Sequence, residues 1–388
     1  MERDGFKVDT VKLREFSDVL GEAQDQLCER IYMQTGCEFN INSPKQLGHV
    51  LFEELKLPVQ SKTKSGYSTS AEVLEALRPY SDVVDDILEY RTVGKLKSTY
   101  ADGLADAADE NGRVHTTFNQ CGTATGRLSS VDPNLQNIPV RTKLGKELRR
   151  FFIAPEGKVL VDADYSQIEL RLLAALSGDE NMISAFASGA DIHTSTAAQV
   201  FHVAPEKVTP QLRSRAKAVN FGIVYGIGAY SLSQDLGISQ SEAKEYIERY
   251  LATYPGVAKY LNGSVEKARE LGYTETMFGR RRPIPELSSR NRNIVAFGER
   301  VARNSPIQGS AADVIKLAMI AVHRRLAESE LDARLILQVH DELIVECAEG
   351  DADAVCALLK ECMESAVETA VLLRADVSVG KTWYDAKG

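Results

Sequence analysis

The sequence predicts an α+β protein in which long helical stretches accompany a small β-sheet. Three observations carry this prediction. Residues 1–100 and 166–330 place apolar side chains mainly at helical spacing. Two short apolar runs, 159–169 and 335–345, instead predict buried strands that lead into acidic residues. The section after residue 330 alternates strand, helix and strand patterns.

The composition is that of a globular protein. The 388 residues are 44% hydrophobic and 26% charged, enough for two or three subdomains around a large core. No apolar stretch approaches the length of a membrane span, and the charged first residues do not form a signal peptide. The six scattered cysteines fit a reduced compartment. We therefore expect a cytosolic protein, not secreted and not membrane-bound.

The charge is unevenly distributed along the chain. The net charge of −9 argues, by itself, against a nucleic-acid partner. Residues 127–150, however, hold six cations and two anions, and residues 279–303 hold seven cations and two anions. Each cluster alone is most simply a solvated face, but together they allow a basic groove on an acidic protein.

The first hundred residues predict helices interrupted by one loop. Ser43 is a suitable N-cap for a helix that has Pro44 at its first position. The polar segment 60–70 reads as a flexible loop. An earlier helix is predicted from apolar residues at helical spacing, namely Val11, Leu13, Phe16, Val19, Leu20, Leu27 and Ile31.

Residues 115–160 change to a strand and turn pattern. The segment 125–130 and the irregular segment 132–139 are rich in arginine, amide and hydroxyl side chains. Such groups suit contacts to phosphates and to minor-groove acceptors. A turn-rich loop that satisfies its own backbone explains the same composition and is favoured in isolation.

The two acidic strand ends predict a metal site. Asp162 and Asp164 lie near the end of the first apolar run. The second run predicts a hairpin whose turn is His-Asp-Glu, residues 340–342. Hairpin geometry prefers glycine or asparagine at such a turn, so charged residues there indicate binding. Two carboxylates from separate strand ends are suited to holding two divalent cations.

A stripe of four residues predicts an anion site. Arg213, Lys217, Phe221 and Tyr225 are spaced by four and therefore share one broad helix face. Cations near a helix N-terminus are unfavourable for the helix, so a polyphosphate with a stacked base would explain them. An amphipathic helix with its aromatics in the core explains Phe221 but not the two cations.

These motifs together resemble motifs A, B and C of the family A, or DNA polymerase I type, DNA polymerases. The three motifs are 164–169, 213–226 and 340–342. Four further segments resemble the same family in the same order, namely 125–130, 191–194, 278–282 and 308–313. The resemblance runs essentially from end to end.

The resemblance implies a right-hand fold and a reaction. The expected palm is an antiparallel sheet formed by 109–175 and 306–388, with 1–15 associated with it. The expected thumb is 16–108 and the expected fingers are 176–305, both helical, with the motif B helix at about 211–227. The implied reaction is template-directed addition of deoxynucleotides to a primer 3′-hydroxyl, with release of pyrophosphate.

The resemblance also implies roles for single residues. Asp164 and Asp341, with the Tyr165 carbonyl, would ligate two Mg²⁺ ions, for which Mn²⁺ is a possible substitute. Lys217 would be a general acid. Glu342 would play a lesser catalytic part, with a solvent-facing hairpin residue as the equal alternative. The implied dNTP-binding residues are Arg213, Lys217, His193, Phe221, Glu169 and Tyr225, and the implied primer-template residues are Arg127, Gln136, Asn137, Asn304, Gln308 and His340.

Several of these implications are specific. Glu169 would exclude ribonucleotides, and phenylalanine at 221 is associated with poor acceptance of dideoxynucleotides. We expect DNA and dNTPs as partners, a monomer, and no 3′–5′ proofreading. Asp162 departs from the family pattern, because it leaves the strand on the same face as Asp164 and could perturb the metal site or point past it. The rival functions are a catalytically silent nucleic-acid-binding protein and a two-metal nuclease.

Overall fold

The structure, a computed structural model, describes residues 1–63, 66–139 and 143–387. The described residues form two compact units, and each is treated by itself. The first unit consists of Met1–Thr116, Asp132–Pro155 and Thr382–Asp385. The second consists of Thr117–Val131, Glu156–Lys381 and Ala386–Gly388.

The first unit is mainly helical. Its strands pair only in twos, β1 with β4 and β2 with β3. Short π-helical turns lie at Val50–Glu54 and Leu96–Asp102, and 3₁₀ turns at Arg78–Tyr80 and Leu148–Phe151. The elements are α1 (Thr10–Thr35), α2 (Pro44–His49), α3 (Ala71–Leu77), α4 (Val83–Lys95), α5 (Gly103–Ala107), α6 (Lys143–Glu147), β1 (Phe6–Lys7), β2 (Lys62–Thr63), β3 (Gly66–Tyr67) and β4 (Arg113–Val114).

Local sequence signals explain where these helices begin and end. The Asp9 side chain accepts a hydrogen bond from the Lys12 amide at the start of α1, and left-handed Gly36 ends it. Ser43 caps α2 with Pro44 at the first helical position, as predicted. The buried face of α1 holds Leu13, Leu20, Leu27 and Ile31, whereas Val11 and Val19 of the predicted face are exposed.

The predicted flexible loop 60–70 is partly a strand pair. Strands β2 and β3 pair antiparallel within it, which the polar composition did not indicate. Residues 64 and 65 of that prediction lie outside the described residues. The first unit also buries an aromatic cluster in which the Trp383 ring lies 5.9 Å from Phe6 and 5.4 Å from Phe152.

The second unit combines helices with one larger sheet. 3₁₀ turns lie at Pro205–Lys207, Pro285–Ser288 and Glu349–Asp351. Its strands are β5 (Thr117–Asn119), β6 (Ser129–Val131), β7 (Lys158–Tyr165), β8 (Tyr273–Glu275), β9 (Arg281–Pro283), β10 (Ala333–Val339), β11 (Glu342–Ala348) and β12 (Ala375–Gly380). Its helices are α7 (Ile168–Ser177), α8 (Glu180–Ala187), α9 (Ile192–Val200), α10 (Pro210–Val224), α11 (Ala229–Leu236), α12 (Gln240–Thr253), α13 (Pro255–Leu271), α14 (Arg292–Glu328) and α15 (Ala352–Glu364). The last helix, α16, spans Trp383–Ala386, of which only Ala386 belongs to the second unit.

The larger sheet is four-stranded, in the order β10-β11-β7-β12. All three pairings are antiparallel, and the two predicted apolar runs supply β7 and the hairpin β10–β11. Strand β7 pairs with β11 along one edge and with β12 along the other, and its residues 159–163 are all buried.

The α+β class predicted from the sequence is confirmed. The motif B helix, predicted at about 211–227, is α10, which ends earlier because Gly226 adopts the left-handed conformation with φ of +67°. The predicted boundaries of palm, fingers and thumb remain a prediction. No helix among the described residues is both long and apolar enough to cross a membrane.

Candidate active site

The register of the sheet places three carboxylates side by side. Asp164 of β7 lies opposite Glu342 of β11 on one side and opposite Asp376 of β12 on the other. Asp162, two residues earlier, leaves β7 on the same face as Asp164, as the sequence predicted. Like charges at directly opposed positions destabilise a sheet, so this row requires a compensating cation.

Asp341 lies in the tight turn that joins β10 to β11. Because Val339 pairs with Glu342, the turn consists of His340 and Asp341 only. Glu342 is therefore the first residue of β11 and is buried, so the solvent-facing alternative for this residue is wrong. His340 has a φ of +52°, in the left-handed region that residues other than glycine adopt uncommonly.

Backbone bonds fix this turn to the neighbouring strand. The Tyr165 amide donates to the Asp341 carbonyl at 3.1 Å. The buried Gln338 side chain donates through Nε2 to the His340 carbonyl at 2.6 Å. These bonds hold the Asp341 carboxylate near the end of β7, where Asp164 lies.

Lys387 supplies a cation to the acidic row. Its ammonium donates to Asp164 Oδ2 at 3.0 Å and to Glu342 Oε2, and lies 3.9 Å from Asp162 Oδ1. Sequence reasoning missed Lys387, because no motif or spacing links it to residues more than 40 positions away. The pairing of Asp164 with Glu342 and Asp376 is the signal that would have indicated a nearby cation, and it is visible only in the structure.

Burial controls the protonation of these acids. Burial raises the pKa of Asp162 to about 9, and the neighbouring Glu342 carboxylate adds to the effect. Burial also raises the pKa of Asp341 to about 7, against the opposing influence of Arg127. The pKa of Asp164 is raised for the same reason, although Lys387 opposes it. The site thus holds carboxyls that favour neutralisation by protons or cations.

Glu169 is a buried carboxylate held by an arginine. It lies in the first turn of α7 and is 3% exposed, and Arg127 Nη2 donates to its Oε1 at 2.8 Å. The same guanidinium lies 3.9 Å from Asp341. Burial raises the pKa of Glu169, with Arg127 opposing. Burial and the nearby Glu169 also raise the pKa of Tyr225.

The stripe on α10 is largely exposed, as its proposed role requires. Arg213, Lys217 and Tyr225 are exposed and Phe221 is half-buried. The Lys217 ammonium lies 6.0 Å from the centre of the Phe221 ring, which stacks on Tyr225 with ring centres 6.1 Å apart. The amphipathic alternative, with both aromatics in the core, is wrong.

Arg213 already has an anionic partner. It donates through Nε to Asp191 Oδ1 at 3.0 Å and through Nη2 to Asp191 Oδ2 at 2.7 Å. Burial alone would raise the pKa of Asp191, but the bonds from Arg213 and Thr194 lower it to about 2. The inference that the cations of α10 require an external anion therefore applies to Lys217 more strongly than to Arg213.

His193 is a buried, neutral histidine whose orientation is fixed. Thr196 Oγ1 donates to Asn220 Oδ1 at 3.2 Å, which leaves Asn220 Nδ2 to donate to His193 Nδ1 at 3.0 Å. The remaining proton of a neutral ring then lies on Nε2, where it can be donated to an anion. Burial, aided by the charges of Arg213 and Lys217 and opposed by Asp191, lowers the pKa of His193 to about 4. Sequence reasoning missed Asn220 and Thr196.

One cavity of about 410 Å³ in the second unit joins these features. We call Asp162, Asp164 and Asp341 its sheet wall and His193, Lys217 and Phe221 its helix wall. Eight of the predicted site residues line it, namely Asp164, Tyr165, Glu169, His193, Lys217, Phe221, Tyr225 and Asp341.

The predicted primer-template residues do not line this cavity. Gln136 and Asn137 belong to the first unit, where the Gln136 side chain is buried and the Asn137 carbonyl accepts a hydrogen bond from Tyr100. Asn304 and Gln308 are partly exposed residues of α14, and His340 is exposed in its turn. Their predicted contacts to DNA stay a prediction.

An ion pair between exposed Arg280 and buried Asp313 lies against the loop that carries Arg127. Arg280 donates through Nε and Nη2 to Asp313 Oδ1 at 2.8 and 2.6 Å, and Thr276 donates to Asp313 Oδ2 at 2.8 Å. Gly126 has a φ of +80°, and a side chain there would meet Arg280 Nε at 2.7 Å. Arg280 of the segment 278–282 and Asp313 of the segment 308–313, two residues without a predicted role, thus support this loop.

The cavity offers two carboxylates to a divalent metal. Among the described residues no group of three or more His, Cys, Asp and Glu side chains is arranged to hold a metal ion. Asp164 and Asp341 nevertheless present carboxylates to one cavity, and Mg²⁺ is commonly held by one or two carboxylates completed by water and substrate phosphates. The residues present therefore fit a hydrated Mg²⁺, with the further oxygen ligands supplied by water and, during the reaction, by a substrate.

Comparisons with known proteins converge on one family. The sequence model of DNA polymerase family A matches residues 10–385. The DNA polymerase I of Geobacillus stearothermophilus and that of Bacillus subtilis (strain 168) are each 54% identical over 389 residues, which is 100% of this chain and 44% of each relative. The chain thus spans less than half the length of these relatives.

A solved structure has the same fold. The POL domain of Pol1 from M. smegmatis, in complex with DNA primer-template and dNTP, superposes with a TM-score of 0.93 at 44% identity. The match covers 99% of this chain and 68% of that chain.

Proposed function

Because the chain belongs to DNA polymerase family A, we propose that it catalyses template-directed addition of deoxynucleotides to a primer 3′-hydroxyl, releasing pyrophosphate. One observation carries the proposal most directly. A single cavity brings the carboxylates of Asp164 and Asp341 together with Lys217 and His193. A metal-assisted phosphoryl transfer requires both kinds of group, acidic residues for cations and basic ones for the triphosphate.

Asp164, Asp341 and the Tyr165 carbonyl would hold two Mg²⁺ ions, with Mn²⁺ as a substitute. When bound, these ions would supply Lewis-acid stabilisation of the attacking and leaving oxygens. The chain's own contribution is to hold the two carboxylates near each other through the Tyr165–Asp341 backbone bond. The raised pKa values of both aspartates favour a cation in this place.

The helix wall would bind the triphosphate. Lys217 is exposed and can donate a proton to the leaving pyrophosphate as a general acid. Neutral His193 would donate from Nε2, and Arg213 would contribute while its bidentate bond to Asp191 fixes its direction. Phe221 and Tyr225, which stack on each other, offer aromatic surface to a base.

Residues outside the helix wall would select the sugar and bind the primer. Glu169 is buried and tied to Arg127, so it forms a rigid obstacle suited to excluding a ribose 2′-hydroxyl. Arg127, Gln136, Asn137, Asn304, Gln308 and His340 would contact the primer-template, chiefly through acceptors common to all base pairs. We expect the chain to act as a monomer.

Extension of one labelled primer on a DNA and on an RNA template tests the proposal. The substrates compared are dNTPs, rNTPs and ddNTPs with Mg²⁺, and each reaction is repeated with EDTA. We expect Mg²⁺-dependent extension with dNTPs, none with EDTA, and poor use of rNTPs and ddNTPs.

The same experiment separates the two rival functions. A catalytically silent binding protein would retain the primer-template without extending it. A two-metal nuclease would shorten the primer without dNTPs and would not lengthen it when they are added. Either result would overturn the proposed polymerase activity.

A further inference from the structure

The acidic row on the sheet contains more carboxyl groups than two metal ligands require. Asp164 lies between Glu342 and Asp376 in register, and Asp162 lies on the same face. Asp162 and Glu342 are 3% and 4% exposed, so water screens them poorly. Asp162 Oδ2 is buried without a hydrogen-bond partner among the described residues.

The only ammonium that the described residues bring into contact with this row is that of Lys387. It hydrogen-bonds Asp164 and Glu342 and lies within ion-pair distance of Asp162. It also lines the cavity together with Asp341. A lysine ammonium is a compact cation with three hydrogen-bond donors. That of Lys387 lies among carboxylate oxygens, which are also the ligands that a hard metal ion prefers.

We propose that Lys387 is a built-in counter-cation of the metal site: its ammonium holds the row together when no divalent ion is bound, and a divalent ion competes with it for Asp164. The inference deepens the proposed function and rests on it, because it takes Asp164 as a metal ligand. Lys387 acts here as a positioning residue that sets the affinity for metal.

Charge arithmetic gives the direction of the effect. Removing the positive charge of Lys387 leaves the carboxylates more negative, so they attract a divalent ion more strongly. A tenfold increase in affinity corresponds to about 1.4 kcal/mol of binding free energy. We therefore expect Lys387→Met to bind Mn²⁺ at least about tenfold more tightly than the original chain. Lys387→Arg keeps the charge and should stay close to the original affinity.

The test is a titration with Mn²⁺ alone, without DNA or nucleotide, in which the free ion is counted by its electron paramagnetic resonance signal. Lys381→Met is the matched control, because Lys381 is an exposed lysine that pairs with Glu349 and does not touch the row. Thermal unfolding in EDTA and in Mn²⁺ is measured on the same variants. Lys387→Met should lose stability in EDTA and gain more from Mn²⁺ than the original chain.

The outcomes separate this inference from the function beneath it. Tighter Mn²⁺ binding by Lys387→Met, with Lys381→Met unchanged, supports the inference. Unchanged or weaker binding overturns it, as does equal loss of stability with and without metal, which would show a purely structural role. Lys387→Gln, which keeps hydrogen-bond donors, replaces Lys387→Met if that variant does not fold. Asp164→Asn and Asp341→Asn are titrated in parallel, and undiminished Mn²⁺ binding by both would instead refute the proposed metal site.

Discussion

The sheet wall and the helix wall of the cavity are built by different physical means. Asp162 and Asp164 are placed by strand register and Asp341 by a two-residue turn, within strands that are buried on both faces. Lys217 and Phe221 are placed by helical spacing on a partly exposed face, and His193 by a chain of side-chain hydrogen bonds.

The electrostatic consequences differ in the same way. On the sheet wall, burial raises the pKa values of the acids, because isolated anions would be unstable there. On the helix wall, burial lowers the pKa of His193, while Lys217 remains exposed. One wall therefore favours receiving cations, and the other presents a cation and a neutral donor to an anion.

The largest expected effect concerns the two aspartates of β7. Asp164→Ala should lower the rate of primer extension by about 10³-fold or more, because it removes a proposed metal ligand worth several kcal/mol of transition-state stabilisation. Asp162→Ala should only weaken extension, because Asp162 is buried beside the ligand without being one. Single-turnover primer extension measures both, and an equal loss in the two variants would contradict the assignment.

On the helix wall the expected loss is smaller. Lys217→Met should lower kcat by about 10²-fold, the scale of a single general acid. Lys244→Met is the matched control, since Lys244 is an exposed lysine that pairs with Glu248 on α12. A change confined to KM would show that Lys217 binds the triphosphate without donating a proton.

The comparison also explains what the sequence could predict. Helical spacing located the stripe on α10, and apolar runs located β7 and the β10–β11 hairpin, since both signals are local along the chain. The opposition of Glu342 and Asp164 depends on strand register, which joins residues 178 positions apart (342 − 164) and has no local signal. Lys387, Asn220 and the Asp191–Arg213 pair were missed for the same reason.

The distinction between local signals and contacts of distant residues applies to the fold as well. Ser43 and Pro44 were read correctly as a helix start, because capping is decided within four residues. The exposure of Val11 and Val19 was not foreseen, because periodicity identifies a face without showing how much of it another element covers. The sequence predicted Glu342 as part of the turn because the three residues His340, Asp341 and Glu342 are all polar. The pairing of Val339 with Glu342 shows instead that Glu342 begins β11.

A third variant examines the region between the walls. Glu169→Ala should reduce discrimination against ribonucleotides by at least about tenfold, because it removes a buried side chain that Arg127 holds in one position. The measurement is the ratio of kcat/KM values for a dNTP and the matching rNTP. Glu180→Ala, at an exposed helix start nearby in sequence, should leave the ratio unchanged. Unaltered discrimination in Glu169→Ala would remove the proposed role in sugar selection.

The smallest effect tests the claim that the helix wall carries a neutral histidine. The folded-state pKa of His193, about 4, lies below the ordinary value of 6.5 because the ring is buried. The folded protein then binds fewer protons than the unfolded chain, so the stability from this group is complete above pH 6.5 and is lost as the pH falls towards 4. Between pH 7.5 and 5.5 the loss should be about 1 kcal/mol. Urea unfolding at the two pH values compares the proteins, because the acids of the sheet wall, whose raised pKa values stabilise the fold as the pH falls, titrate in all three. The change in stability from pH 7.5 to 5.5 should be about 1 kcal/mol less favourable in the original chain and in His323→Gln, an exposed control on α14, than in His193→Gln. An equal change in all three proteins would contradict a neutral His193 in the fold.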